Sequence, residues 1–247
     1  DIETNYTLEK AKITKRTAKM IEKFCLQYGL ENKIMFSHQK MALGVGKEEV
    51  EFITNRYNEF KELFPYLELY DKEKLKELEP KLVYMEDGSE RPEEIVAMGA
   101  KGEYTTVDFG QMTEELAKEA QKCAAITDIF YNSEVEDITK TADGYNLKTV
   151  KGDLFKAKYV VVNAGAHSLY LAHKMGHGKH MGCLPMAGSF YMTTQKLLNG
   201  KVYMVQNDKL PFAALHGDPD ILANGLTRFG PTALMMPKLN YKPCKKK

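Results

Sequence analysis

Leu154-Phe-Lys-Ala-Lys-Tyr-Val-Val-Val-Asn-Ala-Gly-Ala-His-Ser168 is the stretch on which the fold turns. Leu154 to Asn163 reads as a strand, with Val160 to Val162 apolar enough to be covered on both faces. It runs into the small-residue turn Asn163-Ala-Gly-Ala166, and Ser168 to Met175 continues as a helix. Upstream, Glu134 to Thr139 and Tyr145 to Val150 read as two more strands. Asp143-Gly144 and Lys151-Gly152-Asp153 supply the turns between them. A β-meander therefore delivers a buried strand to a tight turn and a helix start. Such a turn lets a ligand approach the backbone, and a helix start offers unpaired N–H groups to an anion.

The chain before this meander has a different character. It is helical and rich in lysine. From Thr7 to about Tyr28, Ile13, Met20, Ile21, Phe24 and Cys25 recur at helical spacing and predict one apolar stripe. Lys10, Lys12, Lys15, Arg16, Lys19 and Lys23 take the remaining surface. A solvated face is the preferred reading of these cations, with contact to an anionic membrane surface as its alternative. Lys33 to Val45 reads as extended and ends at Gly44-Val-Gly46. A second amphipathic helix carries Val50, Ile53, Tyr57, Phe60 and Phe64 and stops at Pro65. Asp71 to Glu79 predicts a short helix, Glu86 to Glu93 a loop, and Phe109 to Ala125 a further helix.

Composition narrows the function classes. The 247 residues carry a formal net charge of +1, which gives no basis for nucleic acid as a partner. No apolar run reaches transmembrane length. The 4 cysteines (Cys25, Cys123, Cys183 and Cys244) are far apart and read as reduced thiols. Localisation is expected to be cytoplasmic, with a peripheral position on the inner face of the cell membrane as the alternative. Both chain ends read as cut.

Chemistry concentrates near the other end, in Pro211-Phe-Ala-Ala-Leu-His-Gly-Asp-Pro-Asp220 and Thr227-Arg-Phe-Gly-Pro-Thr-Ala233. His216 offers a base, Asp218 an acidic partner for it, and Arg228 a planar cation suited to a carboxylate. Asp220 reads as a turn residue beside Pro219. His173, His177, His180 and Cys183 have spacings open to a metal, but Gly176, Gly178 and Gly182 interrupt them; a surface loop is preferred and no metal site is assigned. His38 stays unassigned, and Ser168 lacks the Gly-x-Ser-x-Gly setting of a hydrolase nucleophile.

Several of these runs carry a resemblance. Val135-x-x-Ile138, Asp143-Gly144 and Ala157-x-Tyr159-Val-Val-Val-Asn-Ala-Gly165 resemble the adenine-contacting strand, meander and late glycine motif of FAD-dependent oxidoreductases of the D-amino-acid oxidase type. Within that superfamily, Asp1-Ile-Glu-Thr-Asn-Tyr-Thr7, Met41-Ala-Leu-Gly-Val-Gly46, Ala166-His-Ser168, Cys183-Leu-Pro-Met-Ala-Gly-Ser-Phe190, Lys201-Val-Tyr203, His216-Gly-Asp218 and Arg228-Phe-Gly-Pro-Thr-Ala233 are similar to the malate:quinone oxidoreductase family. The resemblance implies a mixed α/β (α+β) architecture: a partial FAD-binding domain, plus a substrate domain whose mixed β-sheet is flanked by helices. It places residues 1–105 and 169–247 in the substrate domain and 106–168 in the FAD portion.

The same resemblance implies FAD as cofactor, contacted by Val135, Ala164, Gly165, Ala166, Gly230 and Pro231. It implies a small 2-hydroxy dicarboxylate as substrate and a quinone as electron acceptor. (S)-Malate would be oxidised to oxaloacetate with His216 and Asp218 as catalytic residues and Arg228 holding a carboxylate. The chain departs from the superfamily in lacking Gly-x-Gly-x-x-Gly: Gly44-Val-Gly46 supplies two glycines, and Glu49 stands at the place of the third. The chain thus resembles the middle of such an enzyme. A flavin oxidoreductase of another 2-hydroxy acid, such as 2-hydroxyglutarate, and a non-catalytic module without cofactor are the alternatives.

Overall fold

A computed structural model describes residues 7–123, 128–206 and 214–236. The first part of the chain forms α1 (Leu8–Gln27), β1 (Met35–Ser37), β2 (Lys40–Val45), α2 (Lys47–Phe60), β3 (Glu68–Tyr70), α3 (Lys72–Leu78), β4 (Ile95–Ala100) and β5 (Tyr104–Val107). There follow α4 (Phe109–Cys123), β6 (Val135–Thr141), β7 (Gly144–Thr149), β8 (Leu154–Ala157) and α5 (His167–Lys174). The last strands are β9 (Met186–Ala187), β10 (Tyr191–Met192), β11 (Lys201–Met204), β12 (His216–Pro219), β13 (Thr227–Gly230) and β14 (Leu234–Met235).

The described residues fall into two compact units, divided at 116/117, 187/188 and 233/234. The first two breaks lie later than the expected 105/106 and 168/169. On one side, the start of α4 is tied to the first unit, where the Asp108 N–H donates to the Ile34 carbonyl and Met112 packs against the cluster of Cys25, Leu30, Ile34 and Met35. On the other, α5 stays with the meander, Lys174 Nζ donating to the Glu136 carbonyl at 2.7 Å.

The first unit is organised by a seven-stranded sheet of order β10-β13-β12-β11-β2-β4-β3. Only β11 and β2 run parallel; the remaining pairs are antiparallel, so the sheet is mixed as expected. Side-chain alternation along its central strands sorts residues into two cores. On one face, Ala42, Val96, Met98 and Ala100 pack with Ala11, Ile53, Phe60 and Phe64. On the other, Met41, Leu43, Ile95 and Ala97 pack with Leu75, Val83 and Val202. Because both faces are covered, all six residues of β4 are buried.

The helices follow from local signals. Thr7 caps α1 by accepting from the Lys10 N–H at 3.2 Å, and Asp71 caps α3 through the Lys74 N–H at 2.8 Å. Gly44-Val-Gly46 serves packing. A Cβ at Gly44 would lie 2.5 Å from the Glu49 carbonyl oxygen, and Glu49 Oε2 reaches back to the Val45 N–H at 2.9 Å. The residue standing where a third glycine was sought is therefore part of the start of α2. The expected single stripe on α1 is split. Ala11 and Cys25 are buried, whereas Ile13 and Met20 are 63% and 64% exposed, because they project from the side of the helix opposite the core.

Glu79 joins the end of α3 to the turn that launches β11. Its fully buried carboxylate accepts from the Asn199 N–H at 3.0 Å and the Gly200 N–H at 2.6 Å. Burial raises its pKa, and the two backbone donors oppose that rise. Glu79→Ala would strand both donors, so a loss of about 2–5 kcal/mol in denaturant unfolding at neutral pH is expected. Glu79→Gln, which keeps one acceptor, should lose about half as much.

In the second unit, β6, β7 and β8 form the expected antiparallel meander. Ala142 and Asp143 make a two-residue loop between Thr141 and its partner Gly144. Thr149 and Asp153 close the next turn through reciprocal bonds. The third strand is shorter than expected. It ends at Ala157, and residues 158–163 join no sheet among the described residues. Tyr159 and Val161 are each 89% exposed, so the expectation of a strand covered on both faces is corrected here. Apolar sequence alone does not make a strand; partner backbone must lie beside it.

Candidate active site

One face of the seven-stranded sheet turns from apolar to charged as it passes from β2 to β13. Register creates the change: Lys40 pairs with Lys201, Asp218 with Arg228, and the β11–β12 pairing of Val202 with Gly217 sets Lys201 beside Asp218. Arg228, Asp218, Lys201 and Lys40 thus form one row across four adjacent strands. All four line a cavity of ≈ 620 Å³. The next row on the same face holds Gly230, His216, Tyr203 and Ala42.

Arg228 is held by two carboxylates. Its Nε donates to Asp218 Oδ1 at 2.8 Å, Nη2 to Asp218 Oδ2 at 3.1 Å, and Nη1 to Asp220 Oδ2 at 3.0 Å. The Asp218 side chain is only 4% exposed, while that of Arg228 is 35% exposed. Foremost through its bond to Asp218, the guanidinium pKa is raised above the ordinary arginine value. A guanidinium has five N–H donors, so three bonds leave one on each Nη for an incoming oxygen. Phe190 supports the arrangement from the side, its ring centroid lying 5.0 Å from Arg228 Cζ and 5.3 Å from the His216 ring.

His216 stacks on Tyr203 at 4.4 Å between ring centroids and 16° between planes. Its Nδ1 lies 3.1 Å from the Ala214 carbonyl oxygen. A carbonyl only accepts, so Nδ1 carries the proton and the neutral ring presents its lone pair at Nε2. Asp218 does not orient the ring as the sequence suggested. The two residues share a face of β12, but both Asp218 oxygens are taken by Arg228. Asp220 combines two tasks: it accepts from the Leu222 N–H at 2.8 Å, as a turn residue does, and it holds Arg228.

His38, unassigned from sequence, lies beside the row. Its Nδ1 is 3.2 Å from Thr106 Oγ1. Burial, reinforced by the Lys201 ammonium and opposed by Asp218, holds its pKa below the usual histidine value of about 6.5. The folded protein therefore resists a proton that the unfolded chain takes up below about pH 6.5, and stability falls as pH drops through that window. Thermal melts from about pH 7.5 down to about pH 5 should show this decline, and His38→Gln should flatten it.

Lys40, Lys201, Tyr203 and Phe190 had no assigned role before. Lys201-Val-Tyr203 alternates so that its lysine and tyrosine share a face, which was legible. The proximity of Lys40 to Lys201 was not, since parallel pairing joins segments 161 positions apart.

The other expected cofactor contacts lie in both units. Gly230 permits a close approach of the chain to itself: a Cβ there would meet the Ser189 carbonyl oxygen at 2.8 Å and Phe190 Cδ1 at 2.9 Å. Pro231 in turn fills the space beside Gly188. In the second unit Val135 opens β6, and Ala164, Gly165 and Ala166 form an exposed turn before α5. Gly165 has φ +56° and nothing within 4 Å of where a Cβ would be. The Ala164 N–H donates to Ser168 Oγ at 2.9 Å, while His167 Nε2 is buried without a hydrogen-bond partner among the described residues. Open backbone beside an unsatisfied polar atom fits the edge of a polar cofactor. His173 Nε2, of the rejected metal cluster, lies 2.8 Å from the Gly178 carbonyl oxygen. Among the described residues no group of three His, Cys, Asp or Glu side chains is placed to hold a metal ion. No helix of these residues is long and apolar enough to cross a membrane.

Known proteins share this sequence and this architecture. The model of the malate:quinone oxidoreductase family matches residues 9–242. The chain belongs to that family. It is 60% identical over 242 residues to a probable malate:quinone oxidoreductase of Campylobacter jejuni, covering 97% of this chain and 54% of that protein. The chain thus spans about half the length of the malate:quinone oxidoreductases it matches. Among solved structures, L-proline dehydrogenase from P. horikoshii superposes with a TM-score of 0.71 at 16% identity, over 97% of this chain and 59% of that one. L-α-glycerophosphate oxidase from Mycoplasma pneumoniae, solved with FAD bound, superposes with a TM-score of 0.62 at 21% identity, over 89% and 56%. These likenesses establish the fold.

Proposed function

We propose that this chain supplies the substrate side of a malate:quinone oxidoreductase, an FAD enzyme that oxidises (S)-malate to oxaloacetate and passes two electrons to a quinone. The observation that carries the proposal is the arrangement on one sheet face: Arg228 held by two carboxylates beside a histidine whose lone pair sits at Nε2. Arg228 takes one substrate carboxylate on its remaining donors. His216 Nε2 accepts the proton of the C2 hydroxyl, and the Ala214 carbonyl keeps Nδ1 protonated throughout. Asp218 holds Arg228 in place and acts on the substrate only through it.

FAD, when bound, supplies the acceptor for the hydride from C2 of malate. In this reading Val135, Ala164, Gly165, Ala166, Gly230 and Pro231 are the residues that contact it. The sheet unit is the substrate domain, and the meander unit belongs to the FAD domain. A peripheral position on the inner face of the cell membrane suits a quinone acceptor.

The test is an assay of quinone reduction by full-length protein carrying this sequence, with malate, 2-hydroxyglutarate and lactate compared. Malate is expected to give the highest kcat/KM. A preference for 2-hydroxyglutarate would move the assignment to that acid, and a colourless protein that cannot be loaded with FAD would overturn the oxidoreductase reading.

A further inference from the structure

The split apolar stripe of α1 leaves large apolar side chains outside the core. Ile13 and Met20 are 63% and 64% exposed, and their spacing of two turns puts them on one side of the helix. Lys12, Arg16, Lys19 and Lys23 recur at spacings of four, three and four and form a parallel, exposed stripe. Arg16 is three positions from Ile13 and four from Met20, and Lys23 is three from Met20, so cations and apolar side chains are surface neighbours. Leu26, 49% exposed, adjoins Lys23 on the other flank of the basic stripe. Lys19 is paired with Glu22 at 2.6 Å, but Lys12, Arg16 and Lys23 have no ion-pair partner among the described residues. Over the whole helix Lys10, Lys12, Lys15, Arg16, Lys19 and Lys23 stand against only Glu9 and Glu22. Surface apolar groups scattered singly need no explanation; a pair aligned beside a row of cations does.

We infer that this side of α1 docks on the anionic surface of a lipid bilayer, with Ile13 and Met20 entering the headgroup boundary and Lys12, Arg16 and Lys23 meeting the lipid charges. The inference rests on the proposed peripheral membrane position and names the surface that produces it. Such a helix lies in the plane of the interface and joins apolar burial to attraction for acidic headgroups. A second copy of the same face would oppose cation to cation. A nucleic acid would use the charges but give Ile13 and Met20 no apolar surroundings. The placement also suits the electron acceptor. Another side of α1 lines the cavity of the charged row through Thr14 and Ile21. A bilayer docked on the outer side would lie one helix diameter, about 10 Å, from that cavity, a short path for a membrane quinone.

Co-sedimentation of the full-length, FAD-loaded protein with lipid vesicles tests the inference. Vesicles of phosphatidylglycerol mixed with phosphatidylcholine are expected to bind the protein, less so as salt rises. Pure phosphatidylcholine vesicles should bind it at least about tenfold more weakly. Lys12→Gln, Arg16→Gln and Lys23→Gln combined should weaken binding to the mixed vesicles about 100-fold, at about fivefold per cation. Ile13→Ser with Met20→Ser should weaken it at least about tenfold. Both variants should melt as the parent does and oxidise malate at the parent rate with ferricyanide, a water-soluble acceptor. In a third variant, Met20→Cys, the new thiol should react with a maleimide and be shielded by mixed vesicles but not by neutral ones. Equal binding to both lipids, or unchanged binding in the first two variants, would overturn the inference. So would a thiol at position 20 that stays unreactive without vesicles, since another part of the protein or a second copy would then cover the face. Malate oxidation without α1-dependent vesicle binding sinks this inference alone. Vesicle binding through α1 without malate oxidation sinks the assigned reaction alone.

Discussion

His216→Asn is expected to lower kcat/KM for malate by about 10²- to 10⁴-fold, the range over which a positioned proton acceptor acts. The effect should appear chiefly in kcat, because the ring accepts a proton in the transition state and does not hold the substrate carboxylates. His216 is built for that task by its surroundings. Tyr203 and Phe190 fix the ring plane, and the Ala214 carbonyl fixes the tautomer. Asparagine can still bond to the Ala214 carbonyl but offers no basic nitrogen, so the fold should persist with an unchanged melt. A loss confined to KM, or a parallel collapse in thermal stability, would show a packing role instead.

Arg228→Met is expected to act on both binding and stability. It removes the fork proposed for a substrate carboxylate, a loss of about 2–5 kcal/mol or roughly 30- to several-thousand-fold in kcat/KM. It also leaves Asp218 nearly buried with only the distant Lys201 ammonium to balance it. Unfolding free energy should then fall by about 2 kcal/mol, toward the low side of the cost of breaking a buried pair because Arg228 itself is partly exposed. Asp218→Asn combined with Arg228→Met should recover much of the stability but none of the activity. Denaturant unfolding separates the two contributions, since the double variant no longer carries an uncompensated carboxylate.

Local features of the fold were legible because they are written in short segments. Thr7 and Asp71 announce helix starts, Pro65 follows the end of α2, and Asp143 falls in the two-residue loop that closes the first hairpin of the meander, directly before Gly144. Long-range partners were not legible. The sequence sets His216 and Asp218 on one face of a strand and invites the pairing of base with acid. Only the register of β12 against β13 reveals that Arg228 occupies both Asp218 oxygens. Lys40 likewise reaches the site through a parallel pairing that no local pattern encodes. Helical spacing put Ile13 and Met20 with Ile21, Phe24 and Cys25, but the core admits only one side of α1. The valine run at 160–162 failed as a strand for a related reason: a β-ladder requires neighbours, and the described residues place none beside it.

The most direct measurement mixes anaerobic, FAD-loaded, full-length protein with (S)-malate and follows the visible absorption of the flavin in a single turnover. Rapid bleaching in the parent protein is expected, with a bleaching rate about 10²- to 10⁴-fold lower in His216→Asn at saturating malate. A flavin that stays oxidised in the parent protein, or that bleaches at the same rate in both proteins, would contradict the assignment of His216 as the base of malate oxidation.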